Sequence, residues 1–112
     1  MLRSRQNEHA MVIKRASLIA QRLNSIELGI EKSLMISSLK RRLQCGIVRF
    51  VYIKKSGEIR NAIGTLDRVI LKAKIKGNGN SPEKHGCCCY FDIEQGNFRS
   101  FRWENLIVVY PN

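Results

Sequence analysis

Apolar positions change their spacing once along this chain, near Gly46. Before it they recur every three to four residues. Val12, Ala16, Ile19 and Leu23 form one stripe of that period, and Leu28, Met35, Leu39 and Leu43 form a second. That is the pattern of two helices, each burying one face. Lys14, Arg15 and Arg22 lie off the first stripe. Asn7 fits as the first cap, with Glu8 in the first turn where negative charge suits the helix dipole. Asn24 and Ser25 punctuate the end, and Ser25 fits as the cap of the second helix. Gly29 weakens that helix near its start by roughly 1 kcal/mol relative to Ala. Lys40, Arg41 and Arg42 fall in its last turns, where cations suit the dipole.

After Gly46 the period becomes two. The segment GIVRFVYIK, residues 46–54, is rich in β-branched and aromatic residues and predicts a strand. Lys55-Ser56-Gly57-Glu58 predicts a turn in which Gly supplies the positive φ. Residues 59–66 return as the second strand of a hairpin. The segment LKAKIK, residues 71–76, alternates apolar residues with Lys and predicts a short strand or an extended loop arm. Gly77-Asn78-Gly79-Asn80-Ser81-Pro82 breaks regular structure. Residues 87–93, 98–102 and 106–110 complete the strands, with a turn at Gln95-Gly96-Asn97. Short strands joined by tight turns suggest a small barrel, which removes exposed edges by closing. The expected class is α+β: two N-terminal helices, residues 1–45, followed by a five-stranded antiparallel SH3-like or Sm-like β-barrel, residues 46–112.

A chain of 112 residues with 44% hydrophobic content has the size of one domain and enough apolar surface for a core. Its longest apolar runs are interrupted by charge too soon to span a bilayer. The opening MLRSRQNEHAMVIKR lacks the apolar stretch and small-residue cleavage site of a secretory leader. The four cysteines, Cys45, Cys87, Cys88 and Cys89, include three in a row. Neighbours on a strand point to opposite faces, so the run is a poor disulfide framework. Reduced thiols and a cytoplasmic location are expected.

The charge adds a partner to this picture. The net charge is +11, from 20 Lys and Arg against 9 Asp and Glu. The excess is spread over both parts, with nine basic and three acidic side chains in residues 1–46 and eleven and six in the remainder. Such a field concentrates polyanions and is the footprint of nucleic-acid binders. Arg49, Lys54, Lys55, Arg60, Arg99 and Arg102 lie on or beside expected strands, interleaved with Tyr52, Tyr90, Phe98, Phe101 and Trp103. Small barrels hold single strands by stacking bases on aromatics beside cations. Barrel interiors also need bulk, and Phe50, Phe91 and Phe101 fit that role. Tyr52 and Trp103 fit either. In an extended segment Lys72, Lys74 and Lys76 would face one way at about 6.6 Å intervals. That row leads into a Gly-rich loop whose N–H groups could hold a phosphate, although the loop lacks the P-loop pattern. Its blander reading is a mobile polar loop.

Other chemistry has less support. His85 with Cys87 and Cys89 offers too few converging ligands for tetrahedral zinc, there is no C-x-x-C pair, and Cys on a core strand behaves as a small hydrophobe. No metal and no cofactor are expected. His9 and His85 are the only histidines, no paired carboxylates occur, and nothing places a base beside a serine. The chain is expected not to be an enzyme.

The second part resembles a known family. Phe50 and Tyr52 stand on the first strand, followed by Lys54, Lys55 and Gly57 as a K-K-x-G turn. Arg60, Ala62, Gly64, Thr65 and Leu66 then read R-x-A-x-G-T-L. Gly77 and Gly79 stand in a Gly-rich loop, Tyr90, Phe91 and Asp92 read Y-F-D, and Phe98, Arg99, Ser100 and Phe101 read aromatic-R-S-F. Over roughly residues 46–110 these motifs resemble small bacterial proteins with a WYL-like domain of Sm-like SH3 β-barrel fold, common in Bacteroides-type bacteria and their mobile elements. Two features depart from the pattern: Phe98 stands where Trp is usual, and the strand before Tyr90 is Cys-rich. The resemblance implies a non-enzymatic binding module with a regulatory or host–element-conflict role.

Motif and charge together select Lys55, Arg60, Arg99 and Arg102. The full candidate nucleic-acid-binding set adds Lys72, Lys74, Lys76, Tyr52 and Trp103. Arg99 has a competing assignment, an ion pair with Asp92 or Glu94 across the hairpin. The expected partner is DNA or RNA. The alternatives are a protein partner or second copy docked on the helical stripes, and a small ligand sensed by the barrel. No membrane association is expected.

Overall fold

The computed structural model of the chain describes residues 5–74 and 84–111. Two long helices come first, α1 (Arg5–Leu23) and α2 (Ile26–Cys45). Asn24 between them takes a left-handed conformation, φ 53°, which Asn tolerates. Ser25 caps α2 by accepting from the Leu28 N–H at 3.2 Å. Asn7 lies inside α1 and does not cap it. The helices pack against each other along Gly29, where an added Cβ would sit 2.5 Å from the Ala16 carbonyl oxygen. The cost of Gly to the helix is therefore offset by a close helix–helix approach. Arg15 crosses this interface and is buried, donating to the Ser33 carbonyl at 3.0 Å and the Ser37 hydroxyl at 2.8 Å. The stripe expected on α1 thus also carries a charged member.

Five antiparallel strands follow: β1 (Ile47–Ile53), β2 (Ile59–Thr65), β3 (Cys87–Asp92), β4 (Asn97–Arg102) and β5 (Leu106–Val109). They form one sheet in the order β4-β3-β2-β1-β5. A 3₁₀ turn, Trp103–Asn105, carries the chain from one edge of this sheet to the other. Between β1 and β5 the register shifts by one residue at Val51/Tyr52, a bulge that bends the strand pair. Two helices followed by a small SH3- or Sm-like barrel is the architecture the period change predicts.

The core shows why the change at Gly46 does not divide the packing. Ile36, Leu39 and Leu43 of α2 join Val48, Phe50, Ala62, Tyr90, Phe101 and Leu106 in one buried cluster. Thr65 fastens the seam, its hydroxyl donating to the Gly46 carbonyl at 2.7 Å. The α2 stripe is thus used on the chain's own barrel. Leu28, expected in that stripe, is exposed, and Ile36 takes its place inside. β3 is buried along nearly its whole length, which explains its cysteines: Cys88 lies in the core and Cys89 is buried on the opposite face of the strand.

One element differs from the expectation. Residues 68–74 are neither strand nor extended arm but a third helix, α3 (Arg68–Lys74). Asp67 caps it, accepting from the Val69 N–H at 2.9 Å. The helix buries no residue, so the Lys/apolar alternation had no sheet face to fit and the local cap decided the conformation. Lys76 and the Gly-rich loop lie outside the described residues. No helix among the described residues is long and apolar enough to cross a membrane.

Candidate functional site

Strand register puts a polar cluster at one end of the barrel interior. Tyr52 pairs with Arg60 across β1 and β2, and Tyr90 with Arg99 across β3 and β4. Side chains two apart share a face, so Arg60 with Ala62, Asp92 with Tyr90, and Arg99 with Phe101 all point inward. The Tyr52 and Tyr90 hydroxyls share a 2.7 Å hydrogen bond. Asp92 is fully buried, and its carboxylate is held by the Arg60 guanidinium and by Arg99 Nε at 3.3 Å. It also accepts from the Gln95 N–H at 2.9 Å, in the turn where Gly96 supplies a φ of 72°. Burial tends to lower the Arg60 pKa, but the hydrogen bond to Asp92 and the nearby Tyr90 and Asp92 charges raise it overall. Burial, then the Tyr52 hydrogen bond, pushes the Tyr90 phenol well above its ordinary value. Gly64 admits this arrangement, because a Cβ there would sit 2.5 Å from the Tyr90 ring.

A cleft of about 850 Å³ opens over this end. The β1–β2 hairpin forms one wall with Lys54, Lys55 and Gly57, whose φ of 94° lets the turn close. β4 forms the other wall with Phe98, Arg99, Ser100 and Arg102. Lys84, Cys87 and the buried Tyr52 complete its lining. Among the described residues, five cations line the cleft and no acidic residue does.

The family model WYL_2, Sm-like SH3 beta-barrel fold, matches residues 36–107. The chain belongs to this family. Searches of curated proteins and of solved structures each gave no match. The WYL_2 unit begins at Ile36, the first α2 residue of the barrel core, so the family boundary follows the packing rather than the change of period. The whole cleft lies within that unit.

The WYL_2 cleft gathers four of the residues the sequence selects: Tyr52, Lys55, Arg99 and Arg102. Tyr52 enters it as a buried residue, 3% exposed, and not as a stacking platform. Arg60 stays behind the wall with Asp92. Arg99 has the ion pair offered as its alternative, yet a third of its side chain remains exposed to the cleft. Trp103 sits elsewhere, half-buried in the 3₁₀ turn, with the Arg15 guanidinium 5.4 Å from its ring centroid and His85 at its edge. It anchors the helices to the barrel, alongside the Arg22–Glu104 ion pair at 2.8 Å and Lys32 donating to the Glu104 and Leu106 carbonyls. Lys72 and Lys74 do not form a row: two positions on a helix point about 200° apart, and neither lines the cleft.

Sequence reasoning left Lys84 and Cys87 out of the site. Lys84 precedes β3 and becomes a wall only when β3 and β4 pair, a long-range event with no local signal. Among the described residues no three or more His, Cys, Asp or Glu side chains are placed so that they could hold a metal ion.

Proposed function

We propose that this chain is a non-enzymatic, cytoplasmic nucleic-acid-binding module whose contact surface is the cleft between the β1–β2 hairpin and β4. A regulatory or host–element-conflict role fits a protein of this kind. The observation that carries the reading is the lining of the cleft: Lys54, Lys55, Lys84, Arg99 and Arg102 with Phe98 among them and, among the described residues, no carboxylate. Among the described residues only Arg99 of this set has an internal counter-ion, and Asp92 shares itself between two arginines. A phosphodiester backbone supplies the missing negative charge, and Phe98 offers a partly exposed ring to a base. The wider charge of +11 adds capture from a distance.

Titration of labelled single-stranded and double-stranded DNA and RNA across a salt series tests this. Binding should fall with salt at a log–log slope of about −2 to −3.5 for three to five contacts on a single strand, at about 0.7 per contact. Lys55→Glu with Arg102→Glu should abolish it while leaving the fold intact, since Lys55 and Arg102 are both exposed. Unchanged affinity in that variant would remove the cleft from the reading.

A further inference from the structure

The cleft does not end at Lys84. A second concavity of about 270 Å³ shares Lys84 and Cys87 with it and is bordered by Lys14 and Lys40 of the helices. A third, also about 270 Å³, shares Met11, Arg15 and Lys40 with the second and reaches Arg41 and His9. The three are neighbouring hollows that share lining residues, in a series from the hairpin tip, past the 3₁₀ turn, onto the α1–α2 face. Among the described residues, every charged one along this series is basic until Glu8 at its far end. Of the other acidic side chains among the described residues, Asp92 and Glu104 are engaged by arginines and none lines these hollows. A uniform coat of charge would not sort the acids away from one series of hollows.

We infer that the ligand is a single nucleic-acid strand several nucleotides long, which runs from the barrel cleft across Lys84 onto the helical pair. This rests on the cleft reading and extends it. A small anion or mononucleotide needs only the first concavity. A duplex is stiff over about 150 base pairs and cannot follow a path through three successive hollows, whereas a flexible strand can track a cationic groove of this kind over about 4–16 nucleotides.

The test uses the full chain with fluorescent oligothymidylates and oligouridylates of 4 and 16 nucleotides, and three double variants. Lys14→Glu with Arg41→Glu removes exposed cations of the helical part. It should weaken the 16-mers by tenfold or more, lower their salt slope by about 1.4 at 0.7 per contact, and leave the 4-mers within twofold. Lys72→Glu with Lys74→Glu makes the same change in net charge on α3, off these hollows, and should leave the 16-mer at least fivefold tighter than the Lys14/Arg41 variant does. Lys55→Glu with Arg102→Glu should weaken both lengths. Equal losses from the α3 and helical variants would overturn the strand path in favour of a general field. No loss from the helical variant, with the Lys55/Arg102 variant still weakening the 4-mer, would confine the ligand to the barrel. If the Lys55/Arg102 variant binds both lengths normally, the cleft reading itself fails.

Discussion

The shared hydrogen bond between Tyr52 and Tyr90 links the stability of the barrel to alkaline pH. Tyr90 is fully buried, and ionising it would place an unsolvated charge beside another phenol and near Asp92. Its pKa is raised above the ordinary 10.0, so the folded chain holds the proton while the unfolded chain releases it. The contribution is therefore complete below about pH 10 and is lost as pH rises beyond it, by up to about 1.4 kcal/mol per pH unit. Urea unfolding between pH 8 and 11.5 should show this decline. Tyr52→Phe with Tyr90→Phe should make it shallower, since the ionisable phenol is gone. An equally steep decline in the double variant would show that other groups set the alkaline limit. The same two rings explain a feature that patterning leaves open. Tyr52 carries an apolar body and a polar tip, so composition cannot tell a core tyrosine from a stacking one; the partner hydroxyl 2.7 Å away decides.

At the scale of the element, Gly29 opposes two effects of known size. Ala is favoured over Gly in a helix by roughly 1 kcal/mol. An added methyl would meet a backbone oxygen of α1 at 2.5 Å and the Ala20 Cβ at 2.8 Å, and overpacking of that kind costs about 1–3 kcal/mol. The backbone oxygen has no rotamer to retreat to, so the clash wins. Gly29→Ala should lower stability by up to about 2 kcal/mol and increase hydrogen exchange selectively in α1. A stabilised variant would show that the helices can separate without loss. Elements were legible in the sequence where their period was long or their caps strong. Ser25, Gly57 and Gly96 mark ends and turns that the structure confirms. α3 was misread because seven residues fit either period, and the cap at Asp67 outweighs an alternation that no sheet face rewards.

For the whole molecule, the central consequence is that α2 belongs to the barrel. With Ile36, Leu39 and Leu43 removed, Phe50, Tyr90 and Leu106 would face water. A fragment of residues 46–112 should fail to fold, giving no cooperative thermal transition by circular dichroism. A fragment of residues 25–112 keeps the α2 side of the core and should unfold cooperatively at a lower temperature. A folded 46–112 fragment would show that the strands close without the helix. The same packing changes how the apolar stripe is read. Leu39 is fully buried within its own chain, so Leu39→Asp reports on folding and cannot report on docking of a second copy.

The two helices, the five strands, the hairpin turns and the basic character of the chain were legible in the residues alone. Each of these depends on neighbours within a few residues, through periodicity, capping or backbone freedom, or on composition alone. The motifs on β1, β2, β3 and β4 placed the barrel, and the family match over residues 36–107 agrees with it. The tertiary structure decided which cations meet. Arg60 and Arg99 look alike in sequence, yet pairing of β2 and β4 with β3 brings both to Asp92 and leaves only Arg99 facing the cleft. Lys84, Lys14 and Arg41 line neighbouring hollows although nothing local relates them, because only the docking of α1 and α2 on the 3₁₀ turn brings their distant segments together.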